Sequence, residues 1–354
     1  MDICFIFNFS TERKLNPYSF FDIGRNNEYF NLELTKKTFG DDIQNQLPLL
    51  EYIIETSKRK DFKFSIYTSG LFLELLSAQN PGIIVKLKKL LDLDKLELLG
   101  GTYYNSVSSL YSLDLFKNDV EKHKKLIKSM FDYIPVNFTN SKNIYNNSLS
   151  EVISTLKFKS IIVPLIDWFL GDRNANQAYL SSDQKLTLLL SDYRRTKSIF
   201  NSDFKLTDGL VVAQVNPTKN IFEKNLAATL HSIKSRKTRF LTVNESISEH
   251  QSNELYHMPE TVAMNSSGQE LSFFTGNSLQ IEILEKIKSI KNQLHSNKDN
   301  QLIDDLISLS AAENFLASCT KIDSSEISEP YDNYLQMMNI LADMEIRMYR
   351  NKIS

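Results

Sequence analysis

Leu96-Glu97-Leu98-Leu99-Gly100-Gly101-Thr102-Tyr103-Tyr104-Asn105-Ser106 reads as a short apolar strand, a glycine pair and a polar loop. An amphipathic run over 113–131 follows, long enough for a five-turn helix, so the stretch forms one strand–loop–helix unit. Gly100-Gly101 is no phosphate cradle, because it has neither the G-x-G-x-x-G spacing nor a Walker lysine.

The same unit recurs outward in both directions. Strand patterns fall at 3–9, 62–68, 96–99, 135–139, 160–165, 185–190, 209–214 and 239–243, and helical patterns at 47–59, 83–93, 113–131, 149–156 and 221–235. Strands alternating with helices predict a largely parallel sheet covered by helices. From 279 the pattern is wholly helical, over 279–294, 301–320 and 331–349, with a polar turn at 295–300. A barrel of the TIM type takes about 250 residues, so a chain of 354 fits one barrel plus a helical appendage.

Composition narrows the function. Hydrophobic residues at 42% and charged residues at 24% are those of an ordinary globular protein. A net charge of −2, with lysines scattered among acids, leaves no basic footprint for nucleic acid. Two cysteines, Cys4 and Cys319, are too few for a disulfide framework. No apolar run reaches membrane-spanning length and the apolar start is too short for a signal peptide, so a cytoplasmic location is expected. The five histidines lack partners at ligand spacing, so neither a metal nor another cofactor is expected.

Several blocks resemble the α-amylase-like branch of glycoside hydrolase family 57. Ile3-Cys4-Phe5-Ile6-Phe7 and Tyr18-Ser19-Phe20-Phe21-Asp22-Ile23-Gly24 are similar to its opening strand and loop. Leu99 to Ser106, with Ser109-Leu110-Tyr111-Ser112, resembles its LGETYYHS and SLYS block, and Glu313-Asn314-Phe315 with 330–345 resembles its closing helices. The resemblance implies an incomplete (β/α)7 barrel over residues 1–270, followed by a helical bundle over 271–354. It also implies an α-glucan or maltooligosaccharide as ligand; it names no protein partner.

Active members are retaining glycosidases, with a nucleophile and an acid about 5 Å apart across the glycosidic bond. Both are missing here. The nucleophile segment FRNTELIYSDD corresponds to 138–147, which puts Lys142 at the nucleophile position; no Asp or Glu occurs between Asp132 and Glu151. The segment VNLFMDYET corresponds to 210–218, which puts Val215 at the general-acid position; nothing acidic lies between Asp208 and Glu223. Supporting groups change as well: His-Gln-Pro becomes Ser10-Thr11-Glu12, the block's Glu becomes Gly101, its His becomes Asn105, and an Asp-His pair becomes Glu313-Asn314. The transition state carries positive charge, and one charge pair at 4 Å and a dielectric near 20 is worth ~4 kcal/mol. Exchanging a carboxylate for an ammonium therefore costs roughly 8 kcal/mol, on the order of six decades in rate.

What remains for a sugar is aromatic and polar. Trp168 and Tyr103, Tyr104 and Tyr145 offer faces for stacking on a sugar ring, or else pack in the core. Asn105 and Glu313 offer hydrogen bonds. Burial of Lys142 requires a partner, for which Glu97, Asp22 and Glu313 are the candidates. Three readings stay open: an inactive glucan-binding or regulatory module, an altered enzyme using Glu12, Asp22, Asp167 or Glu313, and an interaction scaffold with a closed cleft.

Overall fold

The computed structural model describes residues 1–59, 61–200, 209–217, 238–264, 268–294, 300–321 and 329–353. Among them ten strands follow in chain order: β1 (Asp2–Phe9), β2 (Phe64–Thr68), β3 (Leu96–Leu98), β4 (Asn137–Thr139), β5 (Ser160–Pro164), β6 (Ala178–Leu180), β7 (Thr187–Ser191), β8 (Leu210–Val215), β9 (Arg239–Phe240) and β10 (Gln251–Leu255). Seven run parallel round a barrel, β1 pairing with β2, β2 with β3, β4 with β5, β5 with β7, and β8 back with β1. Two thin seams complete the ring, one bridge between Gly100 and Phe138 and one pairing of Ser191 with Val212. The second is thin because β6 lies antiparallel on β7, Ala178 opposite Leu189, and takes the edge that β8 would otherwise use. This is the expected incomplete (β/α)7 barrel.

Alternation along each strand separates an outer face from an interior. Ile3, Phe5, Phe7 and Phe9 of β1 pack outward against the helices, while Cys4 and Ile6 pack inward with Ile162, Leu189 and Val212. Fully burying a side chain of this size contributes about 1.5–3 kcal/mol, so β1 alone is a large part of what holds helices to barrel. Both cysteines are buried and free.

The helices are α1 (Leu32–Arg59), α2 (Gly70–Gln79), α3 (Pro81–Asp92), α4 (Leu113–Phe131), α5 (Asn147–Thr155), α6 (Asp167–Leu170), α7 (Tyr193–Phe200), α8 (Val243–His250), α9 (Ser272–Thr275), α10 (Ser278–Gln293), α11 (Asn300–Leu309), α12 (Ala312–Ala317) and α13 (Pro330–Ile353). Among the described residues none is long and apolar enough to cross a membrane. Helix α4 has the expected bounds, capped at its start by the Ser112 side chain and ended by Asp132 at φ 54°. Helix α1 begins 15 residues before the expected position 47 and runs through Pro48. An interior proline costs about 3 kcal/mol, which burial of Phe39, Ile43, Leu49, Leu50, Ile53 and Ile54 outweighs. Helix α2 escapes the sequence pattern because six of its ten residues are buried, which leaves no clear polar face to give a period. Strand β9 is shorter than expected because Thr242 leaves the sheet to cap α8. The expected helix at 221–235 lies outside the described residues.

Candidate functional site

The C-terminal ends of β1, β2, β4 and β8 bring Asn8, Tyr67, Thr139 and Gln214 to a cavity of about 110 Å3. Its lining continues with Ser10, with Gln46 of α1, with Asn105 after β3, with Asn140 to Asn143 after β4, and with Asn216 and Pro217 after β8. None of these residues is acidic, and Lys142 is the charged one. The amides hold one another in fixed orientations. Asn143 Nδ2 donates to the Met264 carbonyl at 3.1 Å and to Gln214 Oε1 at 2.5 Å, which leaves Gln214 Nε2 to donate to Thr139 Oγ1 at 3.3 Å. Asn8 Nδ2 donates to Asn216 Oδ1 at 3.1 Å. Asn8 Oδ1, Gln46 Oε1 and Asn143 Oδ1 are buried without a donor among the described residues. Each such acceptor costs about 1–3 kcal/mol.

Lys142 sits in the left-handed region at φ 54°, ψ 20°, followed by Asn143 at φ 54° and faced by Asn105 at φ 53°. Asparagine tolerates this conformation, whereas a lysine there is strained by about 1–3 kcal/mol. Its ammonium lies 3.5 Å from Glu313 Oε1. That oxygen also accepts from Asn105 Nδ2 at 2.8 Å, and Asn105 Oδ1 accepts from Ser141 Oγ at 2.9 Å. The other oxygen, Glu313 Oε2, is buried without a hydrogen-bond partner among the described residues. Of the three candidate acids, Glu313 is the one that meets Lys142. Glu97 is inside the barrel nearer the strands' N-terminal ends, held by Asn137 at 2.5 Å, Ser65 at 3.3 Å and the Asn244 amide at 2.8 Å. Asp22 is at the surface, accepting from Ser19.

Glu313 reaches Lys142 from behind the cavity lining because the expected helix over 301–320 is broken between α11 and α12. There the chain extends and pairs with the loop after β3. Val107 N donates to the Ser310 carbonyl at 2.8 Å, and Ala312 N to the Asn105 carbonyl at 3.1 Å. That loop is itself fixed from α4. Asp119 accepts from the Tyr103 amide at 3.0 Å, the Tyr104 amide at 3.3 Å and Ser106 Oγ at 2.7 Å, and burial pushes its carboxyl up to about 7. His123 Nδ1 accepts from the Gly101 amide at 3.2 Å, so Nε2 carries the proton and donates to the Thr68 carbonyl at 2.7 Å. Burial pushes the imidazole down to about 4.

Other residues singled out by sequence lie elsewhere. Val215 is on the outer face, 1% exposed in the cluster that holds Phe7 and Ala213. Register explains the correction: Gln214 pairs with inward-facing Ile6 and Val215 with outward-facing Phe7. Gln214 thus faces the cavity where the acid was expected, an amide in place of a carboxyl. Tyr103, Tyr104 and Tyr145 are buried and do not line the cavity, so their faces are closed to a sugar. Trp168 is 74% exposed on α6, beside Phe169 at the same end of the barrel, and does not line the cavity either. At Gly101 an added Cβ would lie 2.2 Å from the Tyr67 ring, so Tyr67 fills the space where the block's usual Glu would begin. The overlooked residues Asn8, Thr139 and Gln214 carried a readable signal, a polar side chain ending an otherwise apolar strand.

At the barrel's other end Asp2, Glu249 and His250 bring their ligand atoms within 4.8 Å of one another. Arg239 Nη2 joins that group at 2.6 Å from Asp2 and 2.5 Å from Glu249, which makes it an ion-pair cluster.

Comparison with known proteins agrees with this geometry. A provisionally named alpha-amylase of Methanocaldococcus jannaschii is 26% identical over 90% of this chain and 78% of its own length. A 4-alpha-glucanotransferase from Thermococcus litoralis has a similar fold, with a TM-score of 0.71 at 11% identity over 96% of this chain; the chain spans only 57% of that protein. A branching enzyme from Thermococcus kodakaraensis (TM-score 0.69, 10% identity, 96% of this chain and 88% of its own) and an alpha-amylase from Thermotoga maritima (0.69, 9%, 100% and 93%) have the same fold. The profile of glycosyl hydrolase family 57 matches residues 11–205, more than half of the chain, from the loop after β1 through the cavity-lining turn at Lys142. With that match, the chain belongs to glycosyl hydrolase family 57, a carbohydrate-active, amylase-like family.

Proposed function

We propose that this protein binds α-glucan without hydrolysing it, as a binding or regulatory module of glycogen or maltodextrin metabolism in the cytoplasm. The observation that carries the reading is the lining of the cavity: among the described residues it holds no carboxylate, and it holds an ammonium at Lys142. A retaining mechanism needs one carboxylate to attack and one carboxyl to protonate the leaving oxygen. Lys142 repels the developing positive charge, and the Gln214 amide has no acidic proton to give. The names of its relatives, a glucanotransferase, a branching enzyme and amylases, support α-glucan as the ligand. The amide-rich lining supplies hydrogen bonds for sugar hydroxyls, and Trp168 is the aromatic face left open for stacking.

The test pairs catalysis with binding. Purified protein should release no product from starch, glycogen or maltoheptaose, and should bind maltoheptaose with a Kd of about 1 mM, ~−4 kcal/mol. Trp168→Ala should weaken that binding, and Lys142→Glu alone should not create activity. Product release abolished by Glu313→Gln and unaffected by Asp172→Asn, a change at an exposed residue outside the cavity lining, would establish instead an altered enzyme. The bare Glu313 Oε2 is the feature that favours this second reading.

A further inference from the structure

Helix α13 and the loop after β1 meet in a surface groove of about 440 Å3, which shares no lining residue with the barrel cavity of about 110 Å3. Its volume falls in the range of about 300–1,000 Å3 usual for sites that hold small molecules. We propose that this groove is a second α-glucan site, which holds a segment of the glucan outside the barrel. The proposal takes its ligand class from the glucan-binding reading and adds a place of binding that the reading does not use.

Helical spacing puts Asp332, Leu335, Gln336 and Asn339 on one face of α13, and the loop adds Tyr18, Ser19 and Asp22. The groove presents acceptors. Asn339 Nδ2 donates to the Tyr18 carbonyl at 3.3 Å and Gln336 Nε2 to the Asn16 carbonyl, which leaves Oδ1 and Oε1 as the acceptors of the two amides. Asp22 Oδ2 accepts from the Ser19 amide at 2.8 Å and from Ser19 Oγ at 2.7 Å, which holds the carboxyl below its ordinary range. Its Oδ1 and the carboxylate of Asp332 take no hydrogen bond among the described residues. Asp332 is exposed, and Asp22, Gln336 and Asn339 are half-buried, so all four can be reached from solvent. A ligand in the groove therefore has to donate, as each hydroxyl of a sugar does. Aromatic side chains supply the apolar part. Phe20 and Phe21, between Ser19 and Asp22, are 73% and 76% exposed, with their rings edge to face at 6.1 Å. Tyr331, 57% exposed, lies one turn before Leu335. A pyranose ring, apolar on its C–H face and polar round its edge, uses both kinds of group. A cationic peptide would be drawn to the two carboxylates alone, one of which Ser19 already engages.

Affinity electrophoresis of the full chain in glycogen gels, with maltoheptaose as soluble competitor, tests this. Phe20→Ala/Phe21→Ala and, separately, Asp332→Ala should each raise the apparent Kd for glycogen at least threefold, and the loss should persist in a Trp168→Ala background. These side chains are exposed, so the variants should keep the wild-type dichroism; if one does not fold, the other decides. Retention unchanged in the groove variants and weakened by Trp168→Ala would overturn the groove while the glucan-binding reading stands. Retention weakened only by the groove variants would uphold the groove and remove Trp168 from the reading. A wild-type protein that glycogen does not retard would overturn both. With glycogen retention unchanged, a dimer that Phe20→Ala/Phe21→Ala dissociates would give this face to a second copy of the chain, and binding of a lysine-rich peptide lost in Asp332→Ala would give it to a cationic partner; either result overturns the proposal.

Discussion

His123 is buried as a neutral imidazole between the Gly101 amide and the Thr68 carbonyl, and its pKa is pushed from 6.5 to about 4. In the unfolded chain it takes a proton near 6.5, so its contribution to stability is complete above that pH. The contribution is lost as pH falls from about 6.5 toward 4, by on the order of 3 kcal/mol. Asp119 runs the other way: its raised pKa of about 7 gives a contribution complete below 3.8 and lost as pH rises through 7. The two oppose each other in the wild type, so the comparison that isolates the histidine is His123→Gln against wild type. The variant's deficit in urea unfolding should shrink by about 3 kcal/mol between pH 7.5 and pH 4. A deficit that stays constant would mean that His123 is not held neutral. At this scale the sequence was readable where whole segments lack a type of residue, as with the missing acids around Lys142. It was not readable where one step of strand register decides, which is why Gln214 and not Val215 faces the cavity.

The break between α11 and α12 shows what periodicity misses at the scale of elements. Apolar spacing continues through 301–320, yet the Ser310 carbonyl and the Ala312 amide turn to Val107 and Asn105, exchanging helical hydrogen bonds for loop ones. That exchange depends on a partner some 200 residues away in sequence, so no local signal marks it. The contact between β2 and the loop after β3 is similar. Gly100-Gly101 reads as a turn, while in the fold Gly101 is the space that Tyr67 occupies. Gly101→Ala should destabilise by about 1–3 kcal/mol through overpacking. Tyr67→Val, by making room, should relieve part of that cost. A double-mutant cycle in thermal or urea unfolding should give a coupling of at least about 1 kcal/mol. Strict additivity would show that the ring and the glycine do not depend on each other.

At the scale of the molecule, the change from alternating strands and helices to helices alone is legible near residue 270, but it is not a boundary of the core. One cluster holds Ile3, Phe5 and Phe7 of the barrel together with Leu302, Leu306, Met337, Ile340 and Met344 of the closing helices. The second part also carries Glu313, without which Lys142 would be left strained and unpaired. The closing helices therefore share their apolar core with the outer face of the barrel, and a shared core predicts one cooperative transition. Trp168, being exposed, is a poor reporter of core packing, so tyrosine near-UV dichroism should be followed with far-UV dichroism in urea. The two curves should coincide, with one midpoint, and saturating maltoheptaose should move both together to higher urea, since a ligand bound only by the native state stabilises the whole cooperative unit. Two separated midpoints, or a ligand shift confined to one of them, would show that the closing helices fold as an independent domain, with Glu313 presented to Lys142 by docking after folding.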